Sequence, residues 1–385
     1  MNDNMNLREV AIRERQRRNR RKAVSIIITV LFIILLVAAI VAGIFAVITA
    51  LGEERLRSKV SVNKPNFVVE ESDVDIDAIL SAQIGDTSEI VEQPVWEEGW
   101  VRYNDKIYEY NEDIMTFLIM GIDSMNPVKE SKDALGGGQA DGLFLVVVNP
   151  DDESVKIVAI NRDTMTEVQM YGYGENGQTM IAQIAVQHGF GGGLEKSCEL
   201  TRDAVSKLLY DLPIHGYVSI NMGAISKIND AIGGVDVTVL EDMTKIKKSW
   251  TEGTEVTLEG KDAYNYVHWR DLDVFESNRS RLARQKQYLS AFVTKTKAAT
   301  KANITLPLTL YSELSKYMVT DIKADEVAYL VSNFIDYEFA ADSIYTLSGT
   351  TEMGEKHEEF YPDKDALKDL MINVFYQEVE IEEAE

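Results

Sequence analysis

The sequence predicts an α/β protein: an α/β/α sandwich with a mixed central sheet, preceded by one N-terminal transmembrane helix. Three observations carry this. Thr116–Gly121, Leu143–Asn149 and Val155–Ile160 are continuous apolar runs of strand length, the pattern of strands covered on both faces. Stretches with helical spacing alternate with such runs, which calls for helices layered on a sheet. Finally, residues 23–51 run 29 positions without a charge.

That run is too long for anything but a membrane span. As a helix it reaches about 43 Å, against a hydrocarbon core of about 30 Å. A cleavable leader has an apolar region of only about 7–15 residues, and Ile48 stands where a cleavage site before Gly52 needs a small residue. Residues 1–22 hold eight basic and three acidic side chains. The positive-inside rule therefore keeps 1–22 in the cytoplasm as a basic tail and exports everything after the 23–51 anchor. The expected location is the cell membrane, single-pass, with an extracytoplasmic C-terminal domain.

The whole chain carries 39 Lys and Arg against 63 Asp and Glu, a net charge of −24; setting the tail aside leaves the remainder at −29. Counterion release needs a basic face, so a general nucleic-acid binder is excluded. One cysteine, Cys198, excludes an intrachain disulfide framework and a cysteine-rich zinc site. Leu194, Cys198, Val205, Leu208 and Leu209 share a helical face, which makes Cys198 a core residue.

Residues 52–99 read as an acidic spacer, with a short helix near 75–83, and 100–385 as the exported domain. Asn104-Asp105, between two alternating runs, signals a two-residue hairpin. Strands 143–149 and 155–160 are joined by five residues and must pair antiparallel, so the sheet is mixed. Helices are expected over 194–209, 222–231, 279–300, 308–318, 324–335 and 364–376, with a further strand at 235–240 after Gly233-Gly234.

Open α/β sheets place ligands at strand ends. Three such places are charged: Asp123 after the first strand, Asp141 before the second, and Arg162-Asp163 after the third. Asp123 and Asp141 can share a hard divalent cation, since Mg²⁺ takes one or two carboxylates plus phosphates and waters. Each also fits a turn or helix-cap role, and Arg162-Asp163 fits a structural ion pair equally well. A second basic stretch holds His268, Arg270, Arg279, Arg281, Arg284, Gln285 and Lys286. Arg281, Arg284 and Gln285 lie within one helical turn and can converge on phosphate oxygens. The alternative is a solvated face paired with Asp271, Asp273 and Glu276. His188 and His215 are isolated and read as turn or core residues.

In order, FLIMGIDS, QADGLFLVVVNP, VKIVAINRDT, QHGFGGGLEKSCELT, LPIHGYVSINM, DAIGGVDVTV, LEGKDAYNYVHWR and NRSRLARQKQYL behind such an anchor resemble the LytR-CpsA-Psr family, the cell-envelope-related transcriptional attenuator proteins. The resemblance covers roughly residues 116–296. It implies an α/β/α fold with a hydrophobic groove for a prenyl chain. It also implies a phosphotransferase that moves a glycopolymer, such as teichoic acid or capsule, from a polyprenyl-pyrophosphate carrier onto peptidoglycan. By the same resemblance Asp123 and Asp141 bind Mg²⁺, and Arg162 contacts the pyrophosphate. Arg270, Arg281 and Gln285 match the late cluster that binds the same group. Arg162, Asp163 and Arg270 are the candidate catalytic residues. His268, Arg279 and Arg284 join Arg162, Arg270, Arg281 and Gln285 as candidate pyrophosphate-binding residues.

Three positions depart from the family pattern. Gln139 and His268 stand where arginines are usual, and Asn278 where an aspartate is common. Two alternative readings share these residues: a regulator that holds the lipid without turning it over, and a hydrolase of its pyrophosphate. The exposed cytoplasmic tail is too short for an ordinary DNA-binding domain.

Overall fold

The computed structural model describes residues 46–60, 64–67, 97–133, 135–171, 177–271 and 277–379. Its helices in chain order are α1 (46–58), α2 (Glu195–Leu208), α3 (Ile225–Ala231), α4 (Lys261–His268), α5 (Ser277–Ala302), α6 (Leu306–Leu314), α7 (Ala324–Phe334) and α8 (Lys364–Phe375), and its centre is a six-stranded mixed sheet. The strands in chain order are β1 (Val101–Tyr103), β2 (Lys106–Tyr110), β3 (Met115–Ile122), β4 (Ala140–Asn149), β5 (Ser154–Ile160), β6 (Met165–Gln169), β7 (Thr179–Gln183), β8 (Gly216–Asn221), β9 (Val235–Thr238), β10 (Glu255–Leu258), β11 (Met318–Thr320), β12 (Ile344–Thr346), β13 (Gly349–Met353), β14 (Glu358–Pro362) and β15 (Tyr376–Glu378). The main sheet runs β11-β8-β3-β4-β5-β12. β3–β8 and β5–β12 are parallel, whereas β3–β4, β4–β5 and β8–β11 are antiparallel. The mixed sheet expected from the short 149–155 connection is therefore present.

Both faces of this sheet are covered, which is why its strands read as unbroken apolar runs. Side chains alternate along β3–β5. Leu118, Met120, Leu143, Leu145, Val158 and Ile160 enter one core, with residues of α2 (Glu195–Leu208) and α8 (Lys364–Phe375). Met115, Phe117 and Val148 enter a core on the other face, with α7 (Ala324–Phe334). Ile157 and Ala159 pack there against Leu282 and Leu289 of α5 (Ser277–Ala302). A separate core forms around Val235, Trp250 and Tyr266, joining the β9–β10 hairpin to α4 (Lys261–His268) and to Tyr288 and Phe292 of α5. Helix α5 thus touches both the main sheet and this smaller unit.

The local signals explain the remaining elements. Asn104 and Asp105 both have positive φ, the type I′ geometry that closes β1–β2. Cys198 is fully buried, as its helical face predicts. His188 and His215 are buried too, in opposite tautomers. Nδ1 of His188 faces the carbonyls of Gly137 and Gly138 and must donate, whereas Nδ1 of His215 accepts from the Thr116 amide at 3.1 Å.

The segment after the apolar run departs from expectation. Residues 46–58 form a helix, so the spacer expected over 52–99 begins as a packed element. Leu56 is fully buried beside Met115, Phe117, Ile322 and Tyr329. Arg55 pairs with Asp325 at 2.6 Å and Lys59 with the buried Glu326 at 3.0 Å. Gly52 allows the close approach: a Cβ there would stand 2.5 Å from the Asp325 carbonyl oxygen. The expected helix near 75–83 and most of the expected membrane span lie outside the described residues. Among the described residues no helix is long and apolar enough to cross a membrane.

Candidate active site

The site gathers where three strands of the sheet end. β3 runs into Asp123, whose amide donates to the Gln139 carbonyl at 2.9 Å. At the facing start of β4, Gly121 pairs with Gly142 and Ile122 with Ala140, leaving Asp141 unpaired in a β-bulge. Such a bulge re-aims a side chain at a sheet margin, and the buried Asp141 carboxylate meets two arginines. After β5, Asn161 closes a tight turn: its Oδ1 accepts from the Asp163 amide at 3.0 Å and its carbonyl from the Thr164 hydroxyl at 2.7 Å. That turn presents Arg162.

The Arg162 guanidinium is held on three sides. Nη1 donates to Asp141 Oδ1, Nη2 donates to Gln139 Oε1, and Nε lies 3.4 Å from Asp163 Oδ1. Arg281, from the first turns of α5, reaches the other Asp141 oxygen at 3.4 Å and is almost wholly buried. Burial pushes its pKa down to about 10, against the pull of Asp141; Arg162 and Arg270 push the same way as burial. Two or three guanidiniums crowded together favour a bound anion over mutual exposure. Asp163 is also buried, and burial raises its carboxyl above the ordinary range although Arg162, Arg281 and Arg270 pull it down. Arg270 thus belongs to the same electrostatic cluster.

His268, at the end of α4, stacks on Tyr264 with ring centroids 4.7 Å apart and points Nε2 at Asp123 Oδ1, 3.8 Å away. Burial lowers its pKa, while Asp123 and Asp141 raise it. Both carboxylates therefore act on one imidazole. The Asp123 side chain is 56% exposed. Asp141 accepts two donors and keeps two of its four lone-pair positions. Two hard-oxygen side chains, one open to solvent, fit a cation such as Mg²⁺ that draws most of its ligands from phosphate and water. Among the described residues no group of three His, Cys, Asp or Glu could hold a metal ion.

The sequence-based site needs correction at its edges. Arg284 is not in the cluster. Its guanidinium is fully buried, donates to the Tyr266 and Trp269 carbonyls, pairs with Glu241 at 2.9 Å and lies over both aromatic rings. It clamps the end of α4 to α5, and none of these partners belongs to the Arg162 cluster. Gln285 donates to the Val267 carbonyl at 3.1 Å, next to His268, and so braces α4. Arg279 is exposed. Of the acids near the basic face, Asp271 pairs with Lys245 at 2.6 Å; Asp273 and Glu276 lie outside the described residues.

Sequence reasoning missed two contributors. Gln183 ends β7 and donates to Asp163 Oδ1 at 2.7 Å, and Glu358 of β14 acts on the same carboxyl. Gln139, read as a lost guanidinium, is a brace for Arg162. The glycine loop before it is shaped by close contacts. A Cβ on Gly137 would meet Gly193 N at 2.6 Å, and Gly138 has φ of +80°.

Fold and site together define an α/β/α domain with a carboxylate-braced arginine cluster at its strand ends. The model of the LytR_cpsA_psr family matches residues 86–373, and the chain belongs to that family. A polyisoprenyl-teichoic acid–peptidoglycan teichoic acid transferase, TagU, of Halalkalibacterium halodurans is 31% identical over 242 residues, 63% of this chain and 71% of its own length. The TagU of Bacillus cereus is 25% identical over 255 residues, 66% of this chain and 76% of its own length. Among solved structures, B. subtilis TagV superimposes with a TM-score of 0.52 at 23% identity, covering 69% of this chain and 96% of its own; it shares the fold.

Proposed function

We propose that this protein transfers a glycopolymer of the teichoic-acid type from a polyprenyl-pyrophosphate carrier to peptidoglycan. One observation carries the reading: Arg162 is fixed by Asp141, Gln139 and Asp163, with Arg281 on the same Asp141, in a chain whose net charge is −24. Braced arginines in so acidic a protein fit a substrate with several phosphate charges. The names of the TagU relatives supply the donor and acceptor classes.

Phosphoryl transfer is mostly positioning and charge neutralisation on non-bridging oxygens. In this reading Arg162, Arg281 and Arg270 hold the pyrophosphate, and His268 adds a hydrogen bond at its margin. An acceptor sugar hydroxyl attacks the glycan-proximal phosphorus, and lipid phosphate leaves. Asp163, close to Arg162, receives the hydroxyl proton. Asp123 and Asp141 would hold Mg²⁺, which would neutralise further phosphate charge. Residues 23–51 would anchor the chain in the membrane with the domain outside, beside a lipid-borne donor.

The test is a single-turnover reaction of the full chain in detergent micelles with a synthetic polyprenyl-pyrophosphate glycan and peptidoglycan fragments, with and without Mg²⁺. Metal-dependent glycan on peptidoglycan, lost in Arg162→Ala, is the expected result. Tight donor binding without product would instead mark a lipid-holding regulator.

A further inference from the structure

Asp163 keeps an open hydrogen-bond position where one is costly. Its carboxylate is buried. Oδ1 accepts from Gln183 at 2.7 Å and lies 3.4 Å from Arg162 Nε, while Oδ2 is sealed from solvent with no hydrogen-bond partner. Buried polar atoms are paired in roughly nine cases of ten, and an exception at a site calls for an explanation such as a group that substrate supplies.

Gln183 decides which oxygen stays open. Its Nε2 donates both to Asp163 Oδ1 and to the Glu358 carbonyl at 2.8 Å. Both partners are acceptors, so the amide nitrogen and not the amide oxygen must face them. Gln183 is itself buried, and its one nitrogen ties Asp163 to β14. Backbone bonds hold the rest of the turn. Ile184 donates to the Thr164 carbonyl at 2.8 Å and Ala185 to the Arg162 carbonyl at 3.1 Å, while Phe360 donates to the Asp163 carbonyl at 2.9 Å. The turn is fixed from two sides, and the Gln183 amide is the side-chain contact that reaches the carboxylate itself from β7.

We propose that Gln183 is a positioning residue for Asp163, engaging Oδ1 so that Oδ2 is left unpaired, to receive the acceptor hydroxyl when bound substrate parts the groups that cover it. The proposal rests on the transferase reading above. As the acceptor oxygen bonds to phosphorus, its proton passes to Oδ2. The bond from that phosphorus to the lipid phosphate oxygen breaks, and the electron pair leaves on lipid phosphate. Asp163 returns the proton to water after product departs. The charged groups facing it are Arg162 from its own turn, Arg270 beyond α4, Arg281 on α5 and Glu358 on β14. The three arginines favour the ionised carboxylate; Glu358 and burial oppose it. A donated N–H favours the ionised form as well, so its removal moves the titration to higher pH.

The experiment uses the full chain with Gln183→Met and Gln183→Glu, which keep the side chain's length and remove its amide donor. Turnover and donor affinity are measured with the synthetic donor and peptidoglycan fragments. Asp163 is titrated by carboxyl ¹³C NMR, with Asp163→Asn identifying its resonance. Turnover should fall about 10–100-fold, part of the roughly 10²–10⁴-fold that general-base catalysis contributes as a whole. Donor Kd should stay unchanged, the acid limb of kcat should move to higher pH, and Asp163 should titrate at higher pH than in the parent. An unmoved Asp163 titration overturns the proposal whether or not the parent transfers glycan. Loss of donor binding in step with turnover also overturns it, making Gln183 a support for the arginines. A parent that transfers nothing while the titration still moves refutes the transferase reading and leaves the Gln183–Asp163 link standing.

Discussion

Arg284→Met removes a guanidinium of the basic helix that the structure takes out of the site. Met keeps the length and apolar stem, so the change isolates the charge and its donors. Arg284 pairs with Glu241 and donates to two carbonyls at the end of α4. Breaking a buried pair from one side costs about 3–5 kcal/mol. Glu241 is 35% exposed, so water recovers part of its loss and the lower end, about 3 kcal/mol, applies. For a domain of this size each kcal/mol moves Tm by about 2–4 °C, giving a fall of about 6–12 °C. Thermal unfolding followed by far-UV circular dichroism reads it directly. Donor affinity at a temperature where the variant remains folded should match the parent. A Tm within about 2 °C of the parent, with donor binding lost, would refute the argument and return Arg284 to the phosphate site.

Three further outcomes follow from the same contacts. Leu56→Ala should destabilise the protein by about 2–5 kcal/mol, the cost of emptying a packed leucine site. It should also open residues 46–60 to protease; unchanged resistance and Tm would mean that this helix does not pack on the domain. His188 and His215 are buried neutral, with pKa values pushed down to about 4 from 6.5. The unfolded chain therefore takes up their protons first as pH falls. Between pH 7 and 5 the pair should cost roughly 3–4 kcal/mol of stability by denaturant titration, and a flat profile would contradict their burial. Asp163 has the opposite sign: its folded carboxyl binds its proton more tightly than the unfolded one, so its contribution to stability is lost as pH rises from the ordinary aspartate range through its raised folded pKa. Asp163→Asn should raise Tm at pH 7, with the gain vanishing at pH values below the ordinary aspartate range, while turnover is lost. A lower Tm at pH 7 would refute the burial argument.

What the sequence could and could not disclose follows from the range of each interaction. β3, β4 and β5 were legible because burial on both faces makes a strand apolar along its whole length. β8 was not, although it is central: Ser219 and Asn221 interrupt its apolar pattern, and its place beside β3 depends on a pairing about a hundred residues away. Asp123, Asp141 and Arg162 stood out because a charge ending an apolar run is conspicuous. The Asp141 bulge was invisible, since register is a property of two strands. Arg281 and Arg284 show the limit of helical spacing. It placed them near one another on α5, but α5 lies between two cores, so one arginine meets Asp141 and the other Glu241, Tyr266 and Trp269. Gln183 carried no signal within the run MIAQIA, because its importance comes from β14, which arrives 175 residues later. The acidic composition of 52–99 likewise hid Leu56 and Lys59, whose partners lie on and beside α7.

The central claim is that the arginine cluster directs attack at the glycan-proximal phosphorus with a wall hydroxyl as nucleophile. The most direct measurement is the fate of that phosphorus in a single turnover, using donor ³²P-labelled only at the glycan-proximal position. The account predicts label on peptidoglycan in a phosphodiester, unlabelled lipid phosphate as the other product, and neither in Arg162→Ala. Label released into solution as glycan phosphate, with or without peptidoglycan, would show that water is the nucleophile and contradict the account.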